Sequence, residues 1–108
     1  YNSKKSLIDS AKDYVHRNYR SMDLGLDDTC KELGVSNSYF SSLFKKETGS
    51  SFVEYLTDYR MDKAARMLVE TDDKNVGYAD PNYFSYVFKR KYGVSPSRYR
   101  TEYEKNKV

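Results

Sequence analysis

The chain reads as all-α, and three observations carry that reading. Wherever apolar residues recur they do so at helical spacing, as Phe40, Leu43 and Phe44 do, and no segment alternates as a half-buried strand would. The stretch Tyr39–Gly49 returns as Tyr83–Gly93 at an offset of 44 residues, with Tyr, Phe, Ser, Phe, Lys and Gly identical and Leu43/Val87 and Lys46/Arg90 alike. Ser51 and Tyr55 then match Ser95 and Tyr99, so each copy is followed by a similar capped segment. Two copies of one helical unit are predicted.

The elements follow in order. Leu7, Ile8, Ala11, Tyr14, Val15 and Tyr19 give the N-terminal stretch one apolar stripe. Leu26 to Leu33 reads as a short helix, with Asp27 and Asp28 in the first turn, where they suit the macrodipole, and Leu26, Cys30 and Leu33 on one face. Gly34-Val35-Ser36 is a tight turn, with Ser36 able to cap the next helix, whose end is marked by Gly49 as a residue free to take positive φ. This is helix, turn and second helix. Ser51-Phe52-Val53-Glu54 is a capping-box pattern opening a long helix to about Val69, with Phe52, Tyr55, Leu56, Tyr59, Met61, Ala64, Ala65 and Leu68 inward. Ser95-Pro96 starts a terminal helix through Tyr99 and Tyr103.

Composition bounds what such a chain can do. With 108 residues it holds one domain or two very small ones. Leu, Ile, Val and Phe make up only about 19% of the chain, close to the composition of disordered proteins, but the net charge is just +3. The twelve tyrosines must therefore supply much of the core, most as rings with a wet hydroxyl edge. No apolar run is long enough to span a membrane or act as a secretory signal, and the single Cys30 cannot form an internal disulfide; a cytoplasmic setting is expected. A chain that opens on Tyr1 rather than Met reads as a piece of a longer polypeptide.

Catalysis has little to stand on. One His16 and one Cys30 cannot assemble a zinc site or a Cys–His nucleophile, and no phosphate-binding or zinc-protease motif occurs. Cys30 is expected in the core and His16 on the surface. Neither an enzyme nor a bound cofactor or metal is expected.

Charge placement says more. Ser36 to Lys46 and Pro81 to Thr101 contain no acidic residue, and the second stretch carries Lys89, Arg90, Lys91, Arg98 and Arg100. Each unit thus joins a small polar outer face to a basic end, which suits hydroxyl and amide groups at base edges and cations at phosphates. One such helix could equally be an amphipathic helix solvating its outer face. Two, each behind the same kind of turn, favour nucleic acid, and the long helix is of a length to place them in successive major-groove segments. A helical protein-interaction module with a basic face is the alternative. A DNA-repair enzyme would need Cys30 exposed and electropositive.

The residues Leu24–Gly49, Tyr59–Leu68 and Gly77–Arg100, the last closing on Gly93-Val-Ser-Pro-Ser-Arg-Tyr-Arg100, resemble the DNA-binding domain of AraC/XylS-type bacterial transcription regulators, most closely the response-regulator branch. The resemblance implies a seven-helix fold in which two helix-turn-helix motifs are joined by a long linker helix, as an N-terminal subdomain with the linker over 1–70 and a C-terminal one over 71–108. It places base readout on Ser38, Ser41, Ser42 and Lys45 in the first motif and on Pro81, Asn82, Ser85, Tyr86 and Lys89 in the second. Ser36, Lys46, Asp80 and Arg90 fall where phosphate contacts are expected. Small Ser side chains are weak readers, so the first motif is expected to add modest specificity. Tyr86, at the outward position matching Ser42, is expected to face DNA. The implied partners are double-stranded promoter DNA, RNA polymerase as a further candidate, and an upstream sensor or receiver domain; no membrane is implied.

One departure stands out. Leu26–Leu33 precedes Gly34, whereas the residues before Gly77 include Thr71, Asp72, Asp73, Lys74 and Asn75, which cannot form a buried supporting helix. The family would place about six more residues, bearing Ile and Ala, between Lys74 and Asn75. Either this is a true deletion or a segment is omitted there, and omission is the expectation.

Overall fold

The computed structural model describes residues 3–70 and 75–106. Six helices occur among them: α1 (Ser3–Asn18), α2 (Leu26–Leu33), α3 (Asn37–Thr48), α4 (Phe52–Glu70), α5 (Pro81–Tyr92) and α6 (Pro96–Lys105). No strand is present among the described residues. The molecule is elongated, 50 × 26 × 21 Å, because α4 runs through it and carries a separate hydrophobic cluster at each end.

Local chemistry sets the boundaries. The Ser36 hydroxyl accepts from the Tyr39 N–H at 3.2 Å, and the backbone of Gly49 closes α3 by donating to the Lys45 carbonyl. At the start of α4 the capping box is reciprocal: Glu54 N–H donates to Ser51 Oγ at 3.1 Å, and Ser51 N–H to Glu54 Oε1 at 3.0 Å. These two bonds, with the charge of Lys45, hold the Glu54 carboxyl below its ordinary range. Ser95 caps α6 through the Arg98 N–H.

The first cluster gathers Ile8, Ala11 and Val15 of α1, Leu24, Cys30 of α2, Phe40, Leu43 and Phe44 of α3, and Phe52 and Leu56 of α4. Phe40, Phe44 and Phe52 meet with ring centres 5.4 to 5.6 Å apart, two of the three pairs edge-to-face. Tyr14 ties α1 to α2 by donating to Asp28 at 2.8 Å, a bond that raises the phenol's pKa together with its burial. The second cluster holds Met61, Ala64, Ala65 and Leu68 of α4 with Val76, Phe84 and Phe88. Around it pack the rings of Tyr92 and Tyr99, 4.7 and 5.4 Å from Phe88.

Arg60 stands on the inward row, four residues from both Leu56 and Ala64, but its charge marks it as a surface residue; it is 7% exposed at the point in α4 where the clusters meet. Burial draws its pKa down, opposed by the neighbouring Tyr78.

The tyrosines divide differently from expectation. Tyr14, Tyr19, Tyr55, Tyr59 and Tyr99 are half-buried as expected, joined by Tyr78 and Tyr92. Tyr39 (49% exposed), Tyr83 (55%) and Tyr103 (44%) instead stand out in solvent, alongside Tyr86 (57%), which was expected at an outward position. The reason is angular: each of the first two precedes an inward Phe by one residue, about 100° round the helix.

Six helices are described rather than seven. The helix expected ahead of α5 is absent from residues 75–80, and the break expected between Lys74 and Asn75 involves residues 71–74, which lie outside the described residues. Val76 is buried at 1% exposure, and Gly77 takes φ +98°, the same left-handed backbone as Gly34 at +71°.

Candidate nucleic-acid interface

The two repeated helices start and stop alike. Ser36 and Asp80 are extended residues whose side chains accept from the first turn, Asp80 from the Asn82 N–H at 2.9 Å, and Gly49 and Gly93 close both helices by donating to Lys45 and Lys89 carbonyls. Inward, Phe40 and Phe44 correspond to Phe84 and Phe88, so the same outward row is exposed in each copy.

On α3 that row consists of Ser38, Ser42, Lys45 and Lys46, all exposed, with Ser41 half-buried beside it. On α5 it consists of Pro81, Asn82, Ser85, Tyr86, Lys89 and Arg90, all exposed. Thus the structure brings each motif's expected base-facing residues onto one helical face. Ser36 and Asp80 lie at the two N-termini with their acceptors already engaged as caps. Tyr39 and Tyr83 also border the row, each three residues before the outward Ser42 or Tyr86. The i, i+3 spacing was the signal that could have found them.

Electrostatics in space differs from charge along the chain. Lys91 Nζ lies 2.8 Å from Asp62 and 3.6 Å from Asp58, both on α4, and Tyr92 donates to the same Asp62 carboxylate at 2.8 Å. Arg98 and Arg100 meet Glu102 and Glu104 one turn later, at 3.2 and 3.4 Å. Carboxylates outside the acid-free stretch therefore neutralise three of its five cations, leaving Lys89 and Arg90 on the outer face. Arg90 is oriented by Tyr86, donating to its hydroxyl at 3.1 Å with the guanidinium 5.7 Å from the ring centre. On α3, Lys45 makes only a loose pair with Glu54, 4.0 Å apart with both side chains exposed, which holds neither firmly.

The two residues with catalytic potential are used otherwise. Cys30 is 2% exposed, and burial followed by the Asp27 charge raises its pKa, the opposite of a reactive thiolate. His16 is exposed, hydrogen-bonded to the Tyr55 hydroxyl at 2.8 Å and stacked on Tyr59 with centres 4.5 Å apart.

Comparison with known proteins agrees with this geometry. The helix-turn-helix domain family model matches residues 29–102. The fold resembles the C-terminal domain of AraT, a response regulator from Geobacillus stearothermophilus, at TM-score 0.85 and 37% identity, over 89% of this chain and 84% of that one. It also resembles the C-terminal domain of the two-component response regulator yesN from Fusobacterium nucleatum, at TM-score 0.82 and 32% identity, over 92% and 99% of the two chains. The lactose operon transcription activator of Staphylococcus xylosus is 35% identical over 80 residues, 68% of this chain and 28% of the activator. The chain spans 9 to 28% of the length of the curated relatives it matches. The duplicated motif, its caps and these likenesses together place the chain in the AraC-type helix-turn-helix family of transcription regulator domains.

Proposed function

We propose that the chain is the sequence-specific, duplex-DNA-binding output domain of a bacterial transcription regulator, in particular of a two-component response regulator with an upstream receiver domain, working in the cytoplasm. The carrying observation is that α3 and α5 repeat one design, an aromatic inward row and a small polar outer row with basic residues at its C-terminal end. In this reading α3 and α5 are recognition helices. Ser38, Ser41, Ser42 and Lys45 read bases from the first, and Pro81, Asn82, Ser85, Tyr86 and Lys89 from the second.

Phosphates are met by Lys46 and Arg90 and by the backbone near Ser36 and Asp80, the Asp80 carboxylate itself being occupied in holding the helix start. The 19 residues of α4 extend ~28 Å, against a groove repeat of ~34 Å, so α4 serves as a linker that lets one chain address two successive groove segments. Subdomains over 1–70 and 71–108 share this helix. RNA polymerase is a further partner in the intact regulator.

Fluorescence anisotropy of the chain against a labelled promoter duplex, at 50 and 200 mM salt, tests this. Binding that weakens steeply with salt is expected. Absence of any duplex binding at the lower salt would overturn it in favour of a protein-interaction module.

A further inference from the structure

The two reading faces are useful only if their relative angle is set, and one side chain touches the parts that set it. Arg60 lies between Tyr59, which packs on the first cluster, and Met61, which belongs to the second. Its Nε donates to the Tyr19 carbonyl at 3.0 Å and its Nη2 to the Ser21 carbonyl at 2.8 Å, both in the connection from α1 to α2. The guanidinium carbon also lies over the Tyr78 ring, 5.3 Å from its centre, in the turn that leads into α5. The adjacent Gly77 has no room for a side chain: a Cβ there would come 2.6 Å from Arg60 Nη2 and collide with the Tyr19 carbonyl oxygen.

Two chain segments, one from each half, therefore converge on one planar group carried by α4. A buried permanent cation is a costly way to fill space, and an unbranched apolar side chain would fill it as well. What the planar fork adds is direction. Two donors hold one loop at a fixed angle while the same cation holds a ring on another. The far end of α5 has its own anchor, Lys91 and Tyr92 on Asp62 of α4. Both ends of α5 are thus tied to α4, which also carries part of the first cluster.

We propose that Arg60 is a positioning residue that sets the angle between α3 and α5, and with it the spacing between groove segments that the chain selects. This rests on the duplex-reading function above, but its structural half can be measured without DNA. Spin labels attached to Glu47→Cys on α3 and Ser85→Cys on α5 report the distance distribution between the helices, the buried Cys30 being shielded from labelling. Arg60→Met should broaden that distribution at wild-type helix content, with Arg60→Lys in between.

The DNA arm uses unlabelled chains and a duplex selected by the wild type from a random pool, alongside a copy with half a turn, ~5 base pairs, inserted between the two footprint halves. Wild type should bind the native spacing about tenfold or more tighter than the altered one. Arg60→Met should bring that ratio towards unity, whereas a merely destabilised variant would weaken both duplexes equally. Gly77→Ala, pressing on the same guanidinium from the other side, should lower the ratio too and replaces Arg60→Met if that variant does not fold. An unchanged distribution together with an unchanged ratio overturns the proposal. Failure of the selection to enrich any duplex counts against the DNA-reading function alone, leaving the label measurement to decide the joint.

Discussion

The two repeated motifs share sequence and caps but differ in what stands behind the recognition helix. Behind α3 lies α2, and Phe40, Phe44 and Cys30 are sealed at 2% exposure or less. Ahead of α5 the described chain offers only the turn from Asn75 to Asp80. Phe84 is left 8% exposed, beside a cleft of about 570 Å³ bounded by Leu68, Tyr78, Pro96 and Arg100. The second motif leans on other supports: the Tyr92 and Tyr99 rings around Phe88, and the polar tie from Lys91 and Tyr92 to Asp62. Glu47 and Thr48 stand at the matching positions of α3, so this tie is peculiar to the second copy. The same repeated helix can thus be held by an apolar neighbour or by an aromatic and ionic clasp on α4.

The strongest way to break that contrast is to empty each core. Phe44→Ala and Phe88→Ala should each cost about 3–5 kcal/mol, both rings being fully buried. In hydrogen exchange, Phe44→Ala should weaken protection throughout, while Phe88→Ala should strip α5 and α6 and spare α2 and α3. Equal loss in α3 from both variants would mean the clusters unfold as one.

Next in size are the caps. Ser36→Ala should cost about 1 kcal/mol. Asp80→Ala should cost more, by roughly 0.3–1 kcal/mol, because a charged cap also meets the helix dipole; thermal midpoints of the two variants give the order. The first motif carries one flaw that can sharpen the comparison. Thr29 is fully buried and its hydroxyl meets no hydrogen-bond partner among the described residues, so Thr29→Val should stabilise by about 1 kcal/mol in urea denaturation. A loss of stability would reveal a partner for that hydroxyl.

The smallest effect tests the clasp. Burial pushes the Asp62 carboxyl up, but hydrogen bonds from Lys91 and Tyr92 outweigh it and leave the pKa lowered. A carboxylate whose folded pKa lies below its unfolded value of about 3.9 stabilises above that pH, and the contribution disappears as pH falls through the folded value. Because the Asp62 side chain is 63% exposed, the contribution is about 1 kcal/mol or less. Wild type should therefore exceed Asp62→Asn in urea midpoint at pH 6 and lose most of that advantage by pH 2. A gap that is the same at both pH values would remove the clasp from the account.

Much of this was legible in the sequence because it is periodic and local. Ser36, Ser51, Glu54, Ser95 and Gly49 act where short-range rules put them, and the inward row from Phe52 to Leu68 follows from spacing alone. What escaped was set by distant partners. Arg60 sits on the inward side of α4 but reads as a surface residue until the carbonyls of Tyr19 and Ser21 are brought to it. Lys91 counts towards a basic patch until Asp62 arrives from α4. Composition assigns the tyrosines to the core as a class, but the angle of Tyr39 and Tyr83 on their helices turns these two outward. The outward serines and Lys45 were readable as a face because their spacing is local.

The position of α4 between the clusters bears on how such a domain can be exchanged between regulators. By chain order Met61, Ala64, Ala65 and Leu68 precede the second motif, yet they are four of the seven buried side chains in its core. A gene segment beginning after Glu70 would carry α5 without the surface it folds against, and one ending at Glu70 would carry an uncovered apolar flank. The two motifs repeat one another in sequence, but the unit that can be moved intact to another protein runs from α1 to α6.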